Sequence, residues 1–149
     1  MRQKKKTTAP CSLTGGGYEE IPHTADLALR VWGKDLHDLF VNAAAGMTTL
    51  MSDASVDGSP TLTRALSIEA MDAESLLVEW LSELAYLAES EGALFESFSI
   101  ANITETGLNA VLENQLSGKP TRTIKAVTYH GLNIVETKQG FEATVVFDV

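Results

Sequence analysis

Asp148 and Val149 close the sequence, so an aspartate carboxylate and an α-carboxylate stand on adjacent residues. The run Glu142-Ala-Thr-Val-Val-Phe-Asp148-Val149 is dense in β-formers up to that point. It predicts a strand that docks both anionic groups rather than leaving them on a frayed tail. A third carboxylate, Asp26, lies in a compact polar stretch near the other end, Tyr18-Glu-Glu-Ile-Pro-His23-Thr-Ala-Asp26. If the fold joins the two ends, three hard oxygen donors meet at one point. Such donors repel one another, or hold a shared proton, unless a cation sits among them. An all-oxygen set suits Ca²⁺, Mg²⁺ or Mn²⁺ better than zinc. The plainer alternatives are a turn aspartate ahead of a strand for Asp26 and a solvated surface aspartate for Asp148.

Nitrogen donors would change the chemistry. His23 lies three residues before Asp26, and His130 ends the run Lys125-Ala-Val-Thr-Tyr-His130. Were both to join the aspartates, a zinc or iron hydrolase using His23, Asp26, His130 and Asp148 would be the alternative reading. Lys125 is either a rim lysine or a cation that meets phosphate and steadies the acidic cluster. His37 falls on the polar flank of a helix and reads as a solvated side chain. The chain has no Gly-rich phosphate loop, no GxSxG elbow and no CxxC pair. No covalent nucleophile is evident, so no catalytic residue is assigned.

The 149 residues are 44% hydrophobic, enough for one domain with a real core. No apolar stretch approaches the roughly 20 residues needed to cross a bilayer. The start, Met1-Arg-Gln-Lys-Lys-Lys, lacks the apolar run that would make it a signal peptide. A single cysteine, Cys11, excludes an internal disulfide and suits a reducing, cytoplasmic setting. Net charge is −9, but four of the eleven basic residues lie among residues 1–16, where there is no acid. Seven bases against twenty acids leave the remainder at −13. A body so acidic repels a phosphate backbone, so strong direct nucleic-acid binding is not expected of it. Only the Lys-rich leader has the charge for such contact, and its composition fits a solubilising tail.

Residues 1–16 therefore read as a flexible basic tail and 17–149 as one domain. Leu27, Leu29 and Val31 alternate with Ala28, Arg30 and Trp32, a half-buried strand ended by Gly33. Leu36, Leu39, Phe40, Ala43, Ala44, Met47, Leu50 and Met51 carry the spacing of an amphipathic helix. Ser52–Pro60 reads as a loop and Leu62–Glu69 as a strand. Asp72 is placed to cap a second helix, with Leu76, Leu77, Trp80, Leu81, Leu84, Leu87 and Ala88 inward and Gly92 as its stop. Thereafter the period is two. Strands are expected around Phe98 and Ile100, from Leu108 to Leu112, over Ile124–His130, Leu132–Glu136 and Phe141–Val149, with turns at Gly107, at Gly118-Lys-Pro120 and at Lys138-Gln-Gly140. The fold class is α+β: mostly antiparallel sheet packed against two amphipathic helices in a single domain.

Four stretches together resemble the archease family: Tyr18 to Asp26, Asp72 to Leu87, Lys125-Ala-Val-Thr-Tyr-His-Gly131, and Val145-Val-Phe-Asp-Val149. The resemblance covers about residues 17–149. It implies a small α+β accessory protein, not itself an enzyme, that activates an RtcB-class RNA ligase of tRNA splicing and RNA repair. It implies help with the ligase's GTP-dependent guanylylation and with multiple turnover, GTP being bound only by the ligase. By the same resemblance Asp26, Asp148 and Val149 form a calcium-type metal site, and Lys125 is functionally important.

Overall fold

The computed structural model describes residues 17–21, 27–52, 62–114 and 120–149. The tail 1–16, most of the loop Ser52–Pro60, and Gly118 and Lys119 of the expected turn lie outside those residues.

The elements run β1 (Gly17–Ile21), β2 (Leu27–Gly33), α1 (Leu36–Met51), β3 (Leu62–Glu69), α2 (Ala73–Glu91), β4 (Ser97–Ile103), β5 (Gly107–Asn114), β6 (Ala126–Thr128), β7 (Val135–Thr137) and β8 (Gly140–Asp148). Every strand pairing among them is antiparallel. Two sheets result. One has the order β1-β2-β8-β6, with β7 also paired to β8; the other has the order β3-β5-β4. The α+β class read from the sequence is thus the class of the protein.

Both helices form where the apolar spacing places them, and each is capped at its start by the aspartate that precedes it. The Asp35 carboxylate accepts the Asp38 N–H at 2.8 Å, and that of Asp72 accepts the Ser75 N–H at 2.8 Å. Gly92 ends α2 in the left-handed region at φ 65, and the Ala93 N–H reaches back to the Leu87 carbonyl at 3.2 Å. The helices join the sheets into one core. α1 packs on β1, β2 and β4, and α2 on β3 and β6. Trp80 is fully buried in that core and donates its indole N–H to the Phe40 carbonyl at 3.0 Å, tying α2 to α1.

The Ser75 backbone N–H, and then its hydroxyl, hold the Asp72 carboxyl below the usual carboxylate range. A lowered folded-state value means that this cap stabilises above the unfolded carboxylate range and is lost as pH falls through the folded value. We expect Asp72→Ala to lower the melting temperature at pH 7, and the gap from the parent to close as pH drops below about 4. Thermal melts at several pH values check this; a gap that stays constant in acid would refute the cap.

Four local expectations need correction. The polar stretch after Gly17 contains a strand, β1, that lacks clean alternation. As a sheet edge it pairs only with β2, and Tyr18, which lies against Gly46 of α1, is its main inward anchor. Only Ala126–Thr128 of the expected Ile124–His130 strand pairs with β8. Ile124 turns into the core at 3% exposure, and the Leu132 N–H closes a turn onto the Tyr129 carbonyl at 3.0 Å. The strand expected over Leu132–Glu136 begins only at Val135. Gly107 opens β5 rather than forming the turn; Thr104 to Thr106 make it, closed by Thr104 N–H on the Gly107 carbonyl at 2.9 Å. No helix among the described residues is long and apolar enough to cross a membrane.

Candidate metal and partner site at the end of β8

β8 is the middle strand of its sheet. β2 runs along one edge from Gly33↔Phe141 to Leu27↔Phe147. The other edge is shared, β7 lying beside Gly140–Glu142 and β6 beside Val146–Asp148. Pairing on both sides explains why the strand keeps its order to the end. Ala143, Val145 and Phe147 point into the core, with Val145 and Phe147 fully buried. Gly140 starts the strand at φ 137, where a side chain would strike the Gly33 carbonyl oxygen, so only glycine lets β8 enter beside β2.

The alternation puts Asp148 on the face opposite Phe147, and its side chain is exposed. Its backbone is fixed: Asp148 lies opposite Ala126, and its carbonyl accepts the Lys125 N–H at 2.8 Å. Val149 is 38% exposed. On the same face as Asp148, Ala28 and Val146 lie directly opposite each other and are 1% and 5% exposed. The strip of sheet leading to Asp148 is therefore covered, and Asp148 stands at its edge.

Lys125, Asp148 and Val149 are thus brought to one place, through backbone geometry that no single stretch of sequence displays. Lys125 has an exposed side chain just before β6, where its N–H closes onto β8. His130 lies in the turn after β6, four residues beyond Ala126. Its N–H donates to the Thr128 hydroxyl at 3.2 Å, and that hydroxyl donates to the Val146 carbonyl at 2.9 Å. Thr128 was not singled out from the sequence, although it sits inside the Lys125–His130 stretch; it ties the turn carrying His130 to β8. His23 and Asp26 lie outside the described residues. Asp26 is bonded to Leu27, whose partner is Phe147, the residue bonded to Asp148.

The carboxylate oxygens of Asp148 are donors of the kind a hard cation takes. Among the described residues, the group of three metal-capable side chains lies elsewhere, at Asp35, His37 and Asp38, with ligand atoms within 4.8 Å of one another. Those groups already serve the start of α1: Asp35 caps it, and the exposed His37 places its Nδ1 3.3 Å from an Asp38 oxygen.

A second cluster occupies the outer face of the same sheet. The Arg30 guanidinium lies 4.7 Å from the Trp32 ring centre, 3.4 Å from Glu142 and 3.8 Å from Glu19. It links β1, β2 and β8 beside a cleft of about 290 Å³. Its signal in the sequence was the alternation that puts Arg30 and Trp32 on one side of β2.

Residues 18–149 match the model of the Archease protein family. "Protein archease" of Methanosarcina barkeri is 38% identical over 146 residues, covering 93% of this chain and 99% of the relative. That of Sulfurisphaera tokodaii is 33% identical over 140 residues, covering 89% and 98%. The solution structure of Methanobacterium thermoautotrophicum protein 1598 superposes with a TM-score of 0.72 at 30% identity, covering 89% of this chain and 99% of that one. A Thermotoga maritima crystal structure described as an archease, possible chaperone, has the same fold, with a TM-score of 0.64 at 22% identity over 88% of this chain and 96% of that one. The match takes in both sheets apart from Gly17 of β1 and runs through Lys125, Asp148 and Val149, and the chain belongs to the archease family.

Proposed function

We propose that this protein activates an RtcB-class RNA ligase in the cytoplasm, without turnover of its own, by presenting a divalent-metal site at the end of β8. Asp26, Asp148 and the α-carboxylate of Val149 would hold the ion, most simply Ca²⁺, with Mg²⁺ or Mn²⁺ as alternatives. The observation that carries this reading is the docked end of β8, where the Lys125 N–H clamps the Asp148 carbonyl and leaves the Asp148 side chain exposed. A strand paired on both edges gives these anionic groups a fixed position at little further entropic cost.

When bound, a divalent ion there supplies positive charge for phosphate oxygens of the ligase's GTP. The protein's own residues do the rest. Asp148 and the terminal carboxylate set the ion's position at the edge of the covered Ala28–Val146 strip. Lys125, one residue before the strand facing Asp148, adds a cation that meets phosphate charge as it shifts during guanylylation. The acidic body, at −13 outside the leader, favours docking beside a basic, RNA-binding partner and disfavours direct RNA binding.

The test is a time course of ligase guanylylation with and without the protein. A faster first step and repeated ligation cycles are expected; an unchanged time course would sink the reading. Turnover by the protein alone, abolished by His130→Ala, would instead favour the hydrolase built on His23, Asp26, His130 and Asp148. Lys125→Ala should cut the rate enhancement about tenfold or more. Its melting temperature should hold, because the side chain is exposed and the bond to Asp148 is made by the backbone. Full activation by Lys125→Ala would remove Lys125 from the mechanism.

A further inference from the structure

α1 and α2 both end beside one cavity of about 410 Å³. Met51, the last residue of α1, lines it together with Ala88 and Ile124, and Glu89, Glu91 and Arg122 contribute its polar groups. A helix C-terminus carries partial negative charge, and neither helix has a basic residue in its last turn. At α1 the deficit is met from outside. Arg122 donates a guanidinium N–H to the Leu50 carbonyl at 3.4 Å, and the N–H groups of Thr121 and Arg122 reach the Met51 carbonyl at 2.7 and 3.1 Å. At α2 the opposite holds, because Glu89 and Glu91 add charge of the same sign. Arg64 meets Glu91 at 2.6 Å, whereas Glu89 has no ion-pair partner among the described residues.

The negative character continues beyond the cavity. α2 has five glutamates and neither lysine nor arginine. Glu79, Glu83 and Tyr86 follow one another at helical spacing, and Tyr86 is 63% exposed. From Glu79 to Glu89 the track is about 15 Å long, more than one small cation covers.

We propose that this cavity is the docking point for a basic segment of a partner polypeptide. The aliphatic stem of one arginine or lysine lies on Met51, Ala88 and Ile124, its head meets Glu89 and the end of α2, and further basic residues follow Glu79 and Glu83. The inference goes beyond the ligase reading and does not rest on it, since its probe is a peptide and the residues its test changes, Glu79 and Glu89, belong to α2 and not to the set Asp26, Lys125, Asp148 and Val149.

The test is calorimetric titration of the full chain with two short peptides, one alternating arginine with leucine and one alternating arginine with serine. The leucine peptide should bind the tighter by about tenfold. Glu79→Lys combined with Glu89→Lys should weaken it about tenfold with an unchanged thermal melt, both side chains being exposed. Equal affinity for the two peptides would overturn the cavity's role. Affinity unchanged by the double reversal would overturn the charge argument. Binding seen only after removal of residues 1–16 would overturn the partner, because the chain's own basic leader would then be the occupant.

Discussion

Joining even one residue to Val149 should abolish most of the activation. The peptide bond turns the terminal carboxylate into an amide and removes one of the proposed anionic donors, and Asp148→Asn removes another without changing shape. Replacing groups that merely orient metal ligands costs about 10–100-fold in affinity or activity, so loss of a ligand itself should cost at least as much. The expected result is a fall of that order in Ca²⁺ affinity, measured by calorimetry, and a parallel fall in the rate of ligase guanylylation. The fold should survive both changes. The Asp148 side chain is exposed, and its hold on β6 runs through its carbonyl and the Lys125 N–H. An extended chain that binds metal and activates the ligase like the parent would show that the α-carboxylate is not a ligand.

The largest effect on stability is expected at Trp80. Its side chain has 0% exposure, meets Phe98 edge-on with ring centres 6.2 Å apart, and donates to the Phe40 carbonyl. Trp80→Ala should cost about 3–5 kcal/mol, because burial is lost and a cavity opens between the two helices. Trp80→Phe should cost less, about 1–3 kcal/mol, chiefly by leaving the Phe40 carbonyl without its indole donor. Denaturant unfolding measures both. A Trp80→Ala loss below about 1 kcal/mol would mean that the helix pair is not held together as described.

The helices were legible in the chain because their determinants are local. Apolar residues recurring at three and four positions name the buried face, and Asp72 and Gly92 mark the limits of α2 through bonds that reach only a few residues. β2, β3, β5 and β8 were legible for a similar reason, since alternation records which side meets the core. β1 and β6 were not. Both lie on an outer edge of the sheet and take their order from a partner strand rather than from their own pattern. The short extent of β6 follows from Ile124 and the Tyr129–Leu132 turn, which compete with pairing at either end.

The candidate site divides along the same line. Residue types and sequence order fix that Asp148 directly precedes Val149, that Asp148 faces away from Phe147, and that the body is strongly acidic. They do not fix that Lys125 stands beside them. That depends on β8 pairing with β2 through Leu27↔Phe147 and with β6 through Ala126↔Asp148, contacts between residues more than twenty and more than a hundred positions apart. Register across a sheet is set by the summed packing of every strand on the helices, so no local window contains it. The cavity between the ends of α1 and α2 is likewise tertiary: the sequence supplies two helix ends without a basic residue, that of α2 acidic as well, and only their packing brings both to one place.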